Sequence, residues 1–221
     1  MIVGRLDAMF RAANSGQPSD AWREFARAGN AIKVRWRDLA VADSIFQATV
    51  IKGRESPGDA DEEESSIFTF FFNSLSVIEL SFFHLYALAA QLDSRFSLIP
   101  GKPRAVTPGE TSVQYKRYFP GDSLTTVIVA FQGDSNLKRI NEVRNILSHR
   151  GTPTRHLGVT IELTIPGRQY FLGGSKGAPA EWKDLGMTLE PALTGDLRSW
   201  LSASLSSLFR EAKAFAAARI P

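Results

Sequence analysis

Apolar residues recur at three-to-four spacing through Ile32, Trp36, Leu39, Ala40, Phe46 and Val50, which predicts an amphipathic helix over 31–51. Asp43 is the polar exception on that stripe. A shorter helix is predicted before it. Pro18-Ser19-Asp20 opens that helix, Trp22, Phe25 and Ala26 give it an apolar face, and Gly29-Asn30 offers a stop. Residues 1–16 show only a short apolar turn around 6–10. The run 53–66 holds Gly, Pro and the acidic residues Asp59, Asp61, Glu62, Glu63 and Glu64, and reads as a solvated connector. Its last carboxylates suit the start of the following helix, where free backbone N–H groups favour negative charge. That helix, over 66–93, is hydrophobic nearly all round, the pattern of a central core element.

Residues 94–110 contain Pro100, Gly101, Pro103, Pro108 and Gly109 and form a long connection. A short helix over 111–119 stops before Pro120-Gly121. Asp122 or Ser123 caps another over 124–131, although Thr125 through Val129 also carry strand propensity. Gly133-Asp134-Ser135 breaks the chain again, and Asp134 or Ser135 caps a helix in which Leu137, Ile140, Val143 and Leu147 make one buried stripe. Beyond Gly151 the pattern changes: 159–165 alternates in part, Pro166-Gly167 is a turn, and 168–172 completes a β-hairpin. The last helix begins near Glu190 or Gly195 and ends near 218, with Leu197, Trp200, Leu201, Leu205, Leu208, Phe209 and Phe215 on its apolar face. The expectation is a single all-α domain over 1–221 with five to seven helices, and a hairpin and loop insert over 152–189 before the last helix.

Composition narrows the chemistry. There is no Cys, so disulfides, zinc–thiolate sites and iron–sulfur clusters are excluded within the chain. The net charge of +3 permits an anionic partner without concentrating basic residues in one patch. No basic region followed by an apolar run opens the chain, so no secretory signal is read. The apolar stretch 67–90 is long enough to raise a membrane span, but Asn73, Glu79 and His84 interrupt it. An intramembrane Glu is costly, so a buried core helix is expected, in a cytoplasmic protein with no membrane contact. Trp36, Phe68, Phe71 and Phe72 are read as core rather than as stacking platforms, and His84 as a satisfied core or rim histidine. Gly173-Gly174-Ser175-Lys176-Gly177 lacks the full spacing of a phosphate loop.

The candidate chemistry lies at the end of the 135–148 helix, in Asn141-Glu142-Val143-Arg144-Asn145-Ile146-Leu147-Ser148-His149-Arg150-Gly151. Asn145 and His149 are four apart and share a face, near which Glu142 also lies. RNA is cleaved without metal when its own 2′-OH attacks the adjacent phosphate. That reaction wants an imidazole for proton transfer and a fixed guanidinium for the phosphorane-like transition state. Arg144 and His149 supply these groups, and Asn145 an orienting amide. Arg144 and His149 are about 140° apart around a regular helix. A symmetric homodimer solves this by bringing two such segments together. No metal and no cofactor is called for.

The segment resembles the Arg-x4-His signature of the HEPN superfamily, in the residues Arg144-Asn145-x3-His149. The resemblance is strict over about 15 residues, with a looser likeness in helical layout over 31–150. It implies a HEPN-like helical bundle and a homodimer whose Arg and His face each other in a cleft between protomers. It further implies a metal-independent endoribonuclease with Arg144 and His149 as the catalytic pair and Asn145 beside them. Other members keep the fold as a nucleotide- or protein-binding module. Toxin–antitoxin systems, antiviral defence and a neutralising protein partner are family associations. Glu79 is costly in a core helix unless paired; it either orients Arg144 or His149 or forms a purely structural ion pair with Arg144. Arg150, Arg155 and His156 lie beyond the helix in a loop, which reads either as a plain solvated loop or as a basic rim that touches a phosphate backbone.

Overall fold

The computed structural model describes residues 19–53, 57–98, 106–149, 155–156, 180–182 and 187–219. Among these described residues six helices and three short strands follow in the order α1 (Asp20–Lys52), α2 (Pro57–Leu92), α3 (Pro108–Tyr118), α4 (Ser123–Gly133), α5 (Ser135–His149), β1 (Arg155–His156), β2 (Ala180–Trp182), β3 (Met187–Leu189) and α6 (Pro191–Ala217). The fold is all-α, as the hydrophobic periodicity predicts.

α1 replaces the two helices expected from the sequence. Ser19 caps it, its Oγ accepting from Trp22 N at 3.1 Å. The chain then runs through Gly29-Asn30 without a break. Ala28 and Gly29 are both buried. Packing at these positions offsets the ~1 kcal/mol that a helical Gly costs relative to Ala. The real stop is Gly53, whose φ of 83° is a conformation that favours glycine.

α2 starts at Pro57, earlier than predicted, a residue type suited to the first turn of a helix, where a missing N–H costs nothing. The acidic run is therefore helix rather than connector. Asp59 and Glu63 are buried, and Lys52 Nζ donates to Asp59 Oδ1 at 2.9 Å, tying the last turn of α1 to the first turn of α2. The two helices are antiparallel along their length. Thr49 reaches Glu62 at 3.4 Å, Arg35 reaches Asn73 at 3.4 Å, and Phe25 O meets His84 Nδ1 at 2.8 Å.

α2 is the core element the sequence predicts. Ile67, Phe70, Phe71, Val77, Ile78, Phe82 and Leu85 are fully buried. By length and composition Asp61–Leu92 would cross a membrane, but 61% of its apolar window is buried inside this fold. α3 crosses it, with Tyr115 OH donating to Leu85 O at 2.8 Å. In α4 the strand-prone stretch is helical because Leu124, Ile128 and Phe131 all reach the core at helical spacing. Asp122 caps that helix and also binds Arg219 at 2.8 Å, so the end of α6 is fastened to the start of α4. α6 buries Leu197, Leu201, Leu205, Leu208, Ala212 and Phe215.

The insert between α5 and α6 does carry β-structure. Its described strands form an antiparallel sheet in the order β1-β2-β3, with Arg155 opposite Trp182 and Ala180 opposite Leu189. Met187 and Leu189 join the core. The hairpin predicted over 159–172 lies outside the described residues.

Candidate functional site

α5 is positioned from both ends of its environment. At its start Asn136 N donates to Asp134 Oδ1 at 2.8 Å, while the other carboxylate oxygen accepts from Trp200 Nε1 on α6 at 3.0 Å. One aspartate thus caps α5 and fixes it against the last helix. Leu137, Ile140, Val143 and Leu147 are buried, so the predicted stripe is the one that docks. Glu142 and Asn145 face solvent, as the helical phase requires. His149 closes the helix by its backbone.

Arg144 sits between these faces and is half-buried. Its guanidinium lies 5.3 Å from the centroid of the Phe72 ring on α2, and Nη1 donates to Asn145 Oδ1 at 3.2 Å. No ion pair joins it to a described carboxylate. Aromatic and amide contacts therefore hold the group while leaving most of its N–H donors for an anion. The Ser148 hydroxyl is committed to Arg144 O at 2.7 Å, one turn back along the helix.

Three expectations about neighbouring residues change. Glu79 is exposed, not buried, and makes no hydrogen bond or ion pair with a described residue. It cannot be the buried partner of Arg144. Its position explains why: on α2 it continues the outward line of Ser65, Phe72 and Ser76 at helical spacing. His156 lies in β1, opposite Glu181, rather than in a loop. Phe68, read from the sequence as core, is 38% exposed. Arg155 shares β1 with His156, and Arg150 lies outside the described residues.

His84 is the satisfied core histidine the sequence predicts. It is buried, its ring stacks on Phe25 with centroids 3.7 Å apart, and its Nδ1 meets Phe25 O at 2.8 Å. Desolvation pushes its pKa down to about 4, against a smaller upward pull from that carbonyl. The ring is neutral in the fold at physiological pH, and it belongs to the α1–α2 packing rather than to the α5 site.

Two features of the molecule join distant elements, and the sequence does not name their partners. Asp43 is fully buried on α1 and lies 2.7 Å from Arg198 Nη1 on α6. A shallow groove of about 400 Å³ runs between α1 and α2, lined by Val41, Ile45 and Thr69 together with Asp38 and Glu62. The acidic lining distinguishes this groove from the Arg144 site. Among the described residues no three acidic or histidine side chains converge to hold a metal ion. No family model matches the chain, and no curated protein or solved structure matches it either.

Proposed function

We propose that this chain is a metal-independent endoribonuclease of the HEPN type, acting on single-stranded RNA at a homodimer interface. The observation that carries the reading is Arg144. It is held by the Phe72 ring and the Asn145 amide, without a described carboxylate partner, on the same helix as His149. A cation with that freedom suits the transferring phosphoryl group.

In the proposed reaction the 2′-oxygen forms a bond to phosphorus while the bond from phosphorus to the 5′-oxygen breaks. A proton leaves the 2′-OH and one arrives on the departing 5′-oxygen, with His149 acting in proton transfer. The products are a 2′,3′-cyclic phosphate end and a 5′-hydroxyl end. Arg144 stabilises the phosphoryl group and Asn145 positions it. The wide angle between Arg144 and His149 around α5 is why a second protomer is needed at the site. In this reading the protein works in the cytoplasm, and a neutralising protein would act by covering the α5 surface.

The test is cleavage of mixed single-stranded RNA in EDTA, with sedimentation run on the same samples. The native chain should sediment at about twice its 24.3 kDa mass. H149A should lose about 10²- to 10⁴-fold in cleavage rate while remaining a dimer. R144A should lose about 10²- to 10³-fold. Unchanged cleavage in H149A would refute the site. A native protein that binds RNA without cutting it would be a non-catalytic nucleotide-binding module, with Arg144 holding a phosphate.

A further inference from the structure

Phe68 and Phe72 stand one helical turn apart on the outward side of α2, and their rings stack with centroids 4.4 Å apart and planes at 23°. Isolated exposed apolar residues are ordinary on protein surfaces and need no explanation. This pair differs in being joined to a cation. Phe72 carries the Arg144 guanidinium 5.3 Å from its ring centroid, so cation, inner ring and outer ring form one continuous contact. Phe72 covers one face of Phe68, and Phe68 remains 38% exposed.

Charged groups flank the pair on both sides. Toward α1 the charges are mixed: Asp38 and Glu62 line the groove with Thr69, Arg37 pairs with Asp38 at 3.2 Å, and Arg35 reaches Asn73, next to Phe72, at 3.4 Å. Toward α5 the surface carries Arg144 and the Asn145 amide. On the α5 side Arg144 has no described carboxylate partner, so its donors favour an anionic group there. A flat π-surface with a positive donor set at one flank is complementary to a nucleotide, whose base offers a π-face and whose phosphate takes the donors.

We propose that Phe68, backed by Phe72, is a base-stacking subsite for single-stranded RNA, adjoining Arg144 so that a phosphate of the same strand meets the guanidinium. The subsite rests on the ribonuclease reading for its ligand and adds what that reading lacks, a surface that recognises the base. Stacking of this kind tolerates every base, because each has a π-face. The subsite accordingly selects unpaired strands over duplexes rather than one sequence over another.

The test uses the full chain and two fluorescein-labelled 2′-O-methyl oligonucleotides of equal length, one bearing bases and one abasic throughout. Neither has a free 2′-OH, so binding is read by anisotropy without cleavage. The native protein should bind the base-bearing strand about ten-fold or more tighter than the abasic one. F68A should lose most of that difference and leave abasic binding unchanged, whereas F68Y should restore it. R144A should weaken both strands alike.

Equal binding of the two strands by native protein, or native-like discrimination by F68A, would overturn the subsite while leaving RNA cleavage at Arg144 and His149 intact. Conversion of F68A from dimer to monomer with discrimination unchanged would assign Phe68 to an interface between copies, and so also overturn it. Binding of neither strand by native protein would remove the RNA reading and the subsite together. Phe68 is a surface side chain, so F68A should melt within a few degrees of native, and F68Y guards against an effect on folding.

Discussion

Arg198→Ala is expected to destabilise the fold by about 3 kcal/mol, whereas Asp43→Asn should cost only about 1 kcal/mol. The asymmetry follows from where the two partners lie. Asp43 is completely buried in α1, and the Arg198 side chain on α6 is 39% exposed. Removing the arginine strands a carboxylate away from water. Gln47 Nε2 still donates to Asp43 Oδ1 at 2.8 Å, but Oδ2 keeps no aligned hydrogen bond; its 2.7 Å contact with Arg198 is an ion contact lacking hydrogen-bond geometry. Removing the charge from Asp43 instead leaves an arginine that hydrates where it stands.

The lower end of the usual range for breaking a buried pair is the appropriate figure, because Arg198 is partly solvated already. For a domain of this size 3 kcal/mol lowers the melting temperature by about 10 °C. Thermal and urea melts of the two variants check the order. Equal losses, or a larger loss in D43N, would mean that the pair does not stabilise the fold by shielding a buried carboxylate.

That ion pair marks the limit of what the sequence reveals. Asp43 stands out in the sequence as a polar residue on an apolar stripe, but nothing local names its partner, which lies on the last helix. Where packing repeats at helical spacing, the pattern is readable. Leu137, Ile140, Val143 and Leu147 on α5 and the Leu197, Leu201, Leu205 and Leu208 line on α6 are buried as their spacing requires. Where local propensity and packing compete, packing prevails: Gly29-Asn30 does not end α1, and Thr125 to Val129 do not form a strand.

α2 shows a different obstacle. It is apolar almost all round, so its sequence has little contrast between inward and outward faces. Glu79 and Phe68 both read as interior positions for that reason. The missing clue was the sparse polar series Glu62, Ser65, Thr69, Ser76 and Glu79, which recurs at three-to-four spacing or its multiples and traces the outward line. Phe68 and Phe72 fall on or beside that line. Of the candidate site, the faces of α5 are legible because they lie on a single helix. The Phe72–Arg144 contact is not, since it joins two helices through their relative rotation.

The fold should also lose stability in mild acid, and His84 predicts how much of that loss is its own. In the unfolded chain the ring titrates near its ordinary 6.5, while burial against Phe25 and Phe209 holds it at about 4 in the fold. Between those two values the unfolded chain binds the extra proton, so acid favours unfolding. The contribution of the neutral ring is fully present above about pH 6.5, falls as the pH drops, and levels off below about pH 4. At about 1.4 kcal/mol per pH unit the full loss is on the order of 3 kcal/mol. Asp93 and Glu211, held below the usual carboxylate range by hydrogen bonds from Arg95 and from Ser123 respectively, add their own acid sensitivity, so the comparison must be made against a variant that cannot titrate at this position. His84→Gln keeps an N–H donor for Phe25 O and carries no charge at either pH. Urea melts of native and H84Q protein at pH 7 and pH 4.5 should show the native chain losing about 2–3 kcal/mol more than the variant across that interval. Parallel losses in the two proteins would mean that His84 already takes up its proton in the folded state, and that the Phe25 carbonyl and the aromatic rings around it tolerate an imidazolium.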